Sequence, residues 1–502
     1  MSDTMVELTA PNGRTIQLPT GLFINNEFVA AKGGQTIASI NPSDESTIAY
    51  VHAASAEDVD LAVSAARAAF QRADWAGIDS SERGQLLYTL AALVKEHQAD
   101  LATLEAWDSG KPYLTALNED LLELIGTLEY YAGYADKIHG SVIHGSPDNL
   151  IYTLRQPIGV CGQIIPWNYP LGMAAWKLGP ALACGNTVIL KPAEQTPLSI
   201  LYFAQLIKKA GFPPGVVNIV NGYGSEAGAA IAGHSGVDKI AFTGSTGTGK
   251  EIMKLAATTL KEITLETGGK SPLIVFDDAE IDLAVFWAHI GSMSNQGQIC
   301  TATSRILVQD TAFDSFLEKF VRHIETMTQV GDQFSENTTH GPQVSKAQYD
   351  RVRSYIQAAK DEGAKFELGG DPYSTETSKG YFVMPTVFSN VSETMQIYRE
   401  EVFGPVVVVC PFSSEEEAVR MANDTVYGLG GAVFTQNIQR AHRVARKIEA
   451  GSVWINSSNN NDVRAPFGGF KQSGIGRELG EAGLNAYSTT KAVYVNMESA
   501  LR

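Results

Sequence analysis

The fold class is indicated by residues 187–220, which read TVILKPAEQTPLSILYFAQLIKKAGFPPGVVNIV. The apolar run Thr187–Leu190 predicts a buried strand, Leu198–Ala210 carries apolar residues at helical spacing, and Val216–Val220 predicts a second strand. Gly211 directly follows the helical pattern, as expected of a helix end. A strand, a helix and a second strand of these lengths predict a βαβ unit with parallel strands.

The same alternation continues on both sides of this stretch. Further strands are predicted at 160–165, 239–242, 263–266, 273–276, 305–308, 406–409, 431–434 and 453–455. Helical patterns are found within 57–107 and at 172–184, 226–232, 247–259, 313–327, 347–360 and 415–423. This order predicts an α/β protein with two doubly wound open-sheet domains and a boundary near Gly268.

The composition limits the partners. The 502 residues are 44% hydrophobic and 19% charged, as in ordinary globular proteins. With 38 Lys and Arg against 55 Asp and Glu, the net charge is −17. Such a chain lacks the basic surface that nucleic acids or anionic membranes require, so neither partner is expected.

The location predicted from the sequence is cytoplasmic. The N-terminus has no basic patch followed by an apolar run, and the longest apolar runs are too short to span a bilayer. The four cysteines, Cys161, Cys184, Cys300 and Cys410, form no C-x-x-C pair. The histidines show no metal-ligand spacing, so no metal is expected.

Two glycine-rich turns follow predicted strands. Gly244–Lys250 matches most of a phosphate-binding P-loop, but Glu251 stands where magnesium needs a hydroxyl. A tight turn, a helix N-terminus that binds another phosphate and an NTPase loop all remain open, and we favour the second. The spacing at Gly222, Gly224 and Gly228 is one residue longer than the dinucleotide fingerprint, so a plain turn is as good an interpretation.

Three further residues are candidates for chemistry. Cys300 lies in a polar, glycine-containing stretch, whereas the other cysteines lie in apolar runs typical of a core; it is a nucleophile or a structural thiol. Glu266 ends a predicted strand and is followed by two glycines. It is either a solvated strand end or a base held at a domain junction. Asn168 lies between aromatic residues and prolines. It is either a turn residue or the source of an amide N–H that donates to an oxyanion.

Together, these motifs resemble the NAD(P)-dependent aldehyde dehydrogenase superfamily over essentially the whole chain. The resemblance is closest to its hydrolytic, non-phosphorylating and in particular fungal members. The motifs that carry it are 21–26 (GLFINN), 166–170 (PWNYP), 242–246 (FTGST), 265–270 (LETGGK), 297–300 (GQIC), 400–405 (EEVFGP), 466–471 (PFGGFK) and 473–477 (SGIGR).

The resemblance implies NAD-dependent oxidation of an aldehyde to the carboxylic acid, with water as the final acceptor. Cys300 would form a hemithioacetal and then a thioester, Asn168 would hold the oxyanion and Glu266 would activate water. Lys177 and Glu478 match positions of the family's proton relay. Thr267 departs from the leucine of many relatives, which indicates tuning beside the base.

The resemblance also implies a Rossmann-like cofactor site. Lys191 and Glu194 match the adenosine-ribose position, where a carboxylate favours NAD over NADP. Gly244 and Ser245 would line the pyrophosphate, and Glu401, Phe403 and Gln348 would contact the nicotinamide side. The remaining predicted cofactor residues are Ile164, Ile165, Pro166, Trp167, Gly224, Gly228, Phe242, Thr248, Leu265 and Gly268.

The positions that match the family's substrate channel predict a roomy, polar channel. They are Tyr169, Gly172, Met173, Trp176, Ser294, Asn459, Asn461 and Phe467. Gly172, Ser294 and Asn461 are small or polar where acetaldehyde-oxidising relatives carry bulky apolar residues. The substrate is therefore expected to be larger or more polar than acetaldehyde. A quaternary ammonium substrate would need an aromatic box, and only part of one is found.

The resemblance implies three parts of the chain. Residues 1–134 and 157–267 would form the NAD-binding domain and 268–472 the catalytic domain, while 135–156 and 473–502 would form an oligomerisation segment. The strand predicted at Thr489–Val495 belongs to that segment, and a homodimer or homotetramer is expected. Three alternatives to a hydrolytic aldehyde dehydrogenase remain: a catalytically silent relative of the family, a P-loop NTPase, and a family member that passes its thioester to coenzyme A.

Overall fold

Residues 4–370 and 379–498 are described by the computed structural model, which is an α/β protein. The strands are β1 (Met5–Thr9), β2 (Thr15–Pro19), β3 (Leu22–Ile24), β4 (Glu27–Val29), β5 (Thr36–Ile40), β6 (Thr47–His52), β7 (Val142–Ile143), β8 (Asn149–Pro157), β9 (Val160–Ile164), β10 (Thr187–Lys191), β11 (Val217–Ile219), β12 (Lys239–Thr243), β13 (Glu262–Glu266), β14 (Pro272–Val275), β15 (Arg305–Gln309), β16 (Lys365–Leu368), β17 (Thr386–Ser389), β18 (Val406–Phe412), β19 (Gly430–Phe434), β20 (Ser452–Ile455), β21 (Gly474–Ile475) and β22 (Ser488–Asn496).

Helices alternate with the strands through most of the chain. They are α1 (Ala56–Gln71), α2 (Ala73–Ala76), α3 (Ser80–Glu96), α4 (Gln98–Ser109), α5 (Tyr113–Thr115), α6 (Leu121–Ala132), α7 (Pro170–Ala183), α8 (Leu198–Ala210), α9 (Ala229–Gly233), α10 (Thr246–Ala256), α11 (Ile281–Met293), α12 (Asp310–Met327), α13 (Lys346–Asp361), α14 (Gln396–Arg399), α15 (Glu415–Asn423), α16 (Ile438–Lys447) and α17 (Gly480–Ala486).

The first large sheet has the order β21-β13-β12-β9-β10-β11-β3-β4. Its five central strands are parallel, from β13 to β11. Every residue of β9, β10, β11 and β12 is buried, as expected of parallel strands covered by helices on both faces. The βαβ unit predicted at 187–220 is β10-α8-β11, and α8 has the predicted bounds.

The second large sheet has the order β16-β17-β18-β15-β14-β19-β20, and all neighbours except β16 and β17 are parallel. Apolar side chains on its two faces form separate clusters against helices. The prediction of an α/β protein with two mostly parallel sheets is therefore confirmed.

A third sheet, β22-β8-β7, is antiparallel and pairs residues 488–496 with 149–157. The predicted oligomerisation segment contributes to two sheets, because β21 pairs with β13 in the first large sheet. The last four residues of that segment, 499–502, lie outside the described residues, as do 1–3 and 371–378 of the two predicted domains.

One local prediction needs correction. The helix expected at 226–232 begins earlier, as a π-helical turn at Gly224–Gly228 that continues into α9. A π-turn shifts side chains by one residue per turn, so the usual helical spacing did not reveal it. None of the helices formed by residues 4–370 and 379–498 is long and apolar enough to cross a membrane.

Candidate active site

A cavity of about 1070 Å³ brings together residues that carry most of the sequence motifs. Its wall includes the ends of β12 and β13, the start of α7, the loop after α11 and the loop before β18. Because parallel strands end at the same sheet edge, motifs far apart in the chain meet there. Cys300, Glu266, Asn168 and Glu478 all line this cavity.

The loop that presents Cys300 has an unusual backbone. Asn295, Gln296 and Gly297 have consecutive positive φ angles of 48°, 58° and 70°. A Cβ at Gly297 would collide with the Gly404 carbonyl oxygen, so this position requires glycine. The left-handed turn places Cys300 at the cavity wall, where it is partly exposed.

Asn168 is tied to the same loop. Its Nδ2 donates to the Gln298 carbonyl oxygen at 2.9 Å, and Asn295 Nδ2 donates to the Asn168 carbonyl oxygen at 3.0 Å. An amide NH₂ carries two hydrogens, so Asn168 keeps a second donor for a ligand. Asn168, the predicted oxyanion donor, is therefore hydrogen-bonded to the loop that carries Cys300, the predicted nucleophile.

The Cys300 thiol is held in its protonated form at neutral pH. Burial raises its pKa to about 12, and the carboxyls of Glu401 and Glu266 add to the shift. Low dielectric and nearby negative charge both disfavour a thiolate. The thiol must lose its proton before it can act as a nucleophile.

Glu266 ends β13 and is 3% exposed. Neither of its carboxyl oxygens has a hydrogen-bond partner among residues 4–370 and 379–498. Burial raises its pKa well above the ordinary value, and Glu478 adds to the shift, whereas Lys177 and Arg477 oppose it. A buried carboxyl without partners that faces a cavity is a good candidate for a base.

Lys177 and Glu478 form a buried ion pair at 2.5 Å. Lys177 Nζ also donates to Thr243 Oγ1 at 2.6 Å, at the end of β12. Glu478 lines the cavity, whereas Lys177 lies behind it. The structure thus places the two predicted relay residues in contact.

The glycine-rich turn at Gly244 opens a helix. Ser245 caps α10, because its Oγ accepts from the Thr248 backbone N–H at 3.2 Å, and both Gly244 and Ser245 line the cavity. Glu251 pairs with Lys254 at 2.7 Å. The exposed N–H groups of this helix start suit a phosphate, and Glu251 contributes no magnesium ligand there.

A second group of predicted cofactor residues surrounds Glu401. Its Oε1 accepts from the Gly269 N–H at 2.9 Å, and a Cβ at Gly268 would collide with its carboxyl group. Burial raises the pKa of Glu401 to about 7. Phe403 packs edge-on against Trp167 at 5.2 Å, and Gln348 Nε2 donates to the Phe403 carbonyl oxygen at 2.7 Å.

Other predicted cofactor residues are not part of the cavity lining. Lys191 Nζ is 3.5 Å from Glu194 Oε2, and a Cβ at Gly228 would stand 3.6 Å from Lys191 Cδ. These three residues therefore form one group, at the end of β10 and beside the π-turn. The predicted residues outside the cavity lining are Ile164, Ile165, Lys191, Glu194, Gly224, Gly228, Phe242, Thr248 and Leu265, whereas Pro166 lines it.

Seven of the eight predicted substrate residues line the cavity: Tyr169, Met173, Trp176, Ser294, Asn459, Asn461 and Phe467. Gly172 does not. Trp176 and Phe467 pack edge to face at 5.0 Å. Thr301 Oγ1 donates to Asn459 Oδ1, which connects this part of the wall to the residue after Cys300.

Part of the wall comes from a segment in which no site residue was predicted. Arg351 and Arg464 line the cavity, as do seven residues of this segment: Asn118, Glu119, Asp120, Leu122, Glu123, Gly126 and Thr127. These acids belong to a helical segment without a motif, where charged residues usually mark a solvated face. A helical pattern at 121–132 was the available signal, and it would have placed a helix but not its position at the cavity.

The cavity thus brings together a cysteine, a buried carboxyl without a hydrogen-bond partner among the described residues and the start of a helix whose N–H groups suit a phosphate. This combination fits an oxidoreductase with a nucleotide cofactor. A sequence model of the "Aldehyde dehydrogenase family" matches residues 28–493. The chain belongs to this family. The predictions of an aldehyde dehydrogenase and of NAD as its cofactor are confirmed, and the silent relative and the NTPase are not favoured.

Individual relatives agree over nearly the full length. The chain is 50% identical over 495 residues to "Aldehyde dehydrogenase [NAD(P)+] 1" of Saccharomyces cerevisiae, covering 96% of each chain. It is 51% identical over 480 residues to mouse retinal dehydrogenase 2, covering 95% of this chain and 92% of the relative. The NAD+ complex of Bacillus cereus aldehyde dehydrogenase matches with a TM-score of 0.94 and 50% identity, covering 95% and 97% of the chains.

Proposed function

We propose that this enzyme oxidises an aldehyde to its carboxylic acid with NAD and water, and that Cys300, Asn168 and Glu266 carry the chemistry. The observation that carries the proposal is the Glu266 carboxyl, which is buried without a hydrogen-bond partner among the described residues and shares a cavity with Cys300. A structural acid at such a position would be expected to have a partner.

The first step is attack on the carbonyl. The Cys300 thiolate forms a bond to the aldehyde carbon, and the carbonyl oxygen takes up the negative charge of a hemithioacetal. Asn168 Nδ2 and the Cys300 backbone N–H donate to this oxygen. Donors held in place before the reaction stabilise the developing charge without reorganisation, which lowers the barrier.

Residues suited to NAD lie on both sides of the Gly244 turn. Glu194 and Lys191 would hold the adenosine ribose, Gly244 and Ser245 the pyrophosphate, and Glu401, Phe403 and Gln348 the nicotinamide side. NAD, when bound, supplies the acceptor for the hydride that leaves the aldehyde carbon. A carboxylate at Glu194 accepts hydrogen bonds from a ribose diol but repels a 2′-phosphate, so NAD is preferred over NADP.

The thioester on Cys300 is then hydrolysed. Glu266 takes a proton from water, the resulting hydroxide adds to the thioester carbon, and the Cys300 thiolate leaves as the acid is released. A raised pKa makes Glu266 a stronger base once it is ionised. Glu478, which lines the same cavity and pairs with Lys177, would pass the proton from Glu266 onward.

The polar wall at Ser294, Asn459 and Asn461 supports a substrate larger or more polar than acetaldehyde. We also propose a cytoplasmic location, on the N-terminal sequence and the cysteine pattern. Self-association to a homodimer or homotetramer is supported by apolar side chains that β7, β8 and β22 leave exposed. They are Val142, Ile143, Leu150, Leu154 and Tyr494.

The test is NADH formation by the purified protein with acetaldehyde, a long aliphatic aldehyde, an aromatic aldehyde and betaine aldehyde, each with NAD and with NADP. C300A is expected to lower turnover at least about a thousandfold, because it removes the nucleophile. C184A, which changes a buried thiol far from the cavity wall, is the matched control and should retain turnover. No turnover of any aldehyde by the unmodified enzyme would overturn the proposal.

A further inference from the structure

The part of the cavity formed by residues 118–127, the helix wall, is acidic. Three of its side chains are carboxylic acids: Glu119, Asp120 and Glu123. Asp120 is neutralised by the Lys111 ammonium in a buried ion pair, and Lys111 Nζ also lies 3.8 Å from the centre of the Tyr169 ring. Lys111 is therefore held on Asp120 and leaves the other two acids without an ion-pair partner among the described residues.

Glu123 is fixed at one of its two oxygens. Trp176 Nε1 donates to Glu123 Oε1 at 2.8 Å, and the same indole packs against Phe467. The described residues make no hydrogen bond to Oε2. The carboxyl is thus held in place beside two aromatic rings of the cavity, with one oxygen left to accept from a ligand.

Gly172 leaves this carboxyl uncovered. The point where a Cβ would stand at residue 172 lies 3.9 Å from Glu123 Oε2 and 3.8 Å from Tyr169 Cβ. A branched side chain would extend from that point over the carboxyl. The missing side chain keeps the carboxyl accessible, although Gly172 itself does not line the cavity.

The environment of Glu123 also favours a cationic ligand. Burial, followed by the neighbouring Asp120, raises the pKa of Glu123 to about 7. A positive charge beside the carboxyl would stabilise its ionised form. The two cationic side chains on the cavity wall are engaged elsewhere: Arg464 pairs with Asp462, and Arg351 donates to the Glu401 carbonyl oxygen.

We propose that Glu123 determines specificity and that the enzyme prefers aldehydes carrying an ammonium group, whose positive charge lies against Glu123 Oε2 while the carbonyl carbon lies at Cys300. The inference rests on the proposed function, because it assigns a substrate class to the same cavity. The indole of Trp176 adds an aromatic surface next to the charge, where cations bind favourably.

The experiment compares aldehydes that differ in charge but hardly in shape. One pair is 3-aminopropanal and butanal, and a longer pair is 4-(trimethylammonio)butanal and 5,5-dimethylhexanal. For each pair, the ratio of kcat/KM for the cationic aldehyde to that for the neutral one is measured. E123Q keeps an oxygen for Trp176 but removes the charge, and it should lower the ratio about tenfold for at least one pair.

Two further variants complete the design. E129Q makes the same charge change on an exposed position of the same helix and should leave both ratios unchanged. G172L should lower the ratio about threefold by covering the carboxyl, while turnover of the neutral aldehyde reports that the variants are folded.

The inference is overturned if E123Q leaves both ratios as they are, or if the unmodified enzyme prefers the neutral aldehyde in both pairs. Absence of turnover with all four aldehydes would instead contradict the proposed function. The two failures are therefore distinguishable.

Discussion

The cavity has two walls that differ in how they are built. The motif wall, which carries Cys300, Asn168, Glu266, Glu401 and Phe403, comes from strand ends and strained loops of both large sheets. The helix wall, residues 118–127, comes from one end of α6 and the π-helical turn before it. In the function proposed above, the motif wall would hold the groups that act on any aldehyde, whereas the helix wall would contact the part of the substrate that varies.

This difference explains what could be predicted from sequence. Cys300 and Glu266 stand in local contexts with their own signals: a polar, glycine-containing stretch before a strand, and an acid followed by two glycines. At Gly297 and Gly268 any side chain would collide with a neighbouring group, so both positions require glycine. Such glycines make the two motifs recognisable even in one sequence. Most buried strands of the two large sheets were predicted for a similar reason, since apolar runs bounded by turn residues have few alternative structures. The buried strands β3 and β17 were not predicted.

Glu123 had no such signal. A glutamate on an amphipathic helix is ordinarily solvated, and its position in the cavity depends on how α6 packs beside α7, which brings it to Trp176. The short N-terminal strands β1 to β6 were also missed. β1 with β2 and β5 with β6 form two-stranded antiparallel sheets with mixed polar and apolar residues, and β3 and β4 are three-residue strands at the edge of the first large sheet. In both cases tertiary packing, not local sequence, decides the outcome.

After C300A, the largest effect on the motif wall is expected from E266Q. Loss of the base should lower the steady-state kcat about 10²- to 10⁴-fold, because the thioester on Cys300 is no longer hydrolysed. NADH should still form in a burst of about one equivalent, which stopped-flow absorbance would detect. E262Q, at the exposed start of the same strand, is the control and should retain kcat. Normal turnover in E266Q would refute the role of Glu266.

A smaller effect is expected from K177M. It leaves Glu478 buried without its ion-pair partner, which should reduce the free energy of unfolding by about 3 kcal/mol in a urea titration. The exposed pair of Lys254 and Glu251 provides the comparison, and K254M should change stability by less than about 0.5 kcal/mol. Equal losses in the two variants would argue against a buried, strongly interacting pair.

A further prediction concerns the pH dependence of kcat/KM. Since the pKa of Cys300 is raised to about 12, the reactive thiolate is a minor species at neutral pH and grows as protons are removed. The value of kcat/KM should therefore rise with pH, by up to about tenfold per unit, between about pH 6 and pH 9. Initial rates in overlapping buffers measure this profile. A flat or falling profile would mean that the thiolate is already formed at low pH.

The most direct test of the division between the two walls is the ratio of kcat/KM for 3-aminopropanal to that for butanal, or of the longer pair, measured side by side in E266Q and E123Q. The account predicts that E266Q leaves this ratio unchanged although it lowers kcat for both aldehydes, whereas E123Q lowers the ratio about tenfold. An equal change of the ratio in both variants, or a change in E266Q alone, would contradict the separation of chemistry from substrate selection.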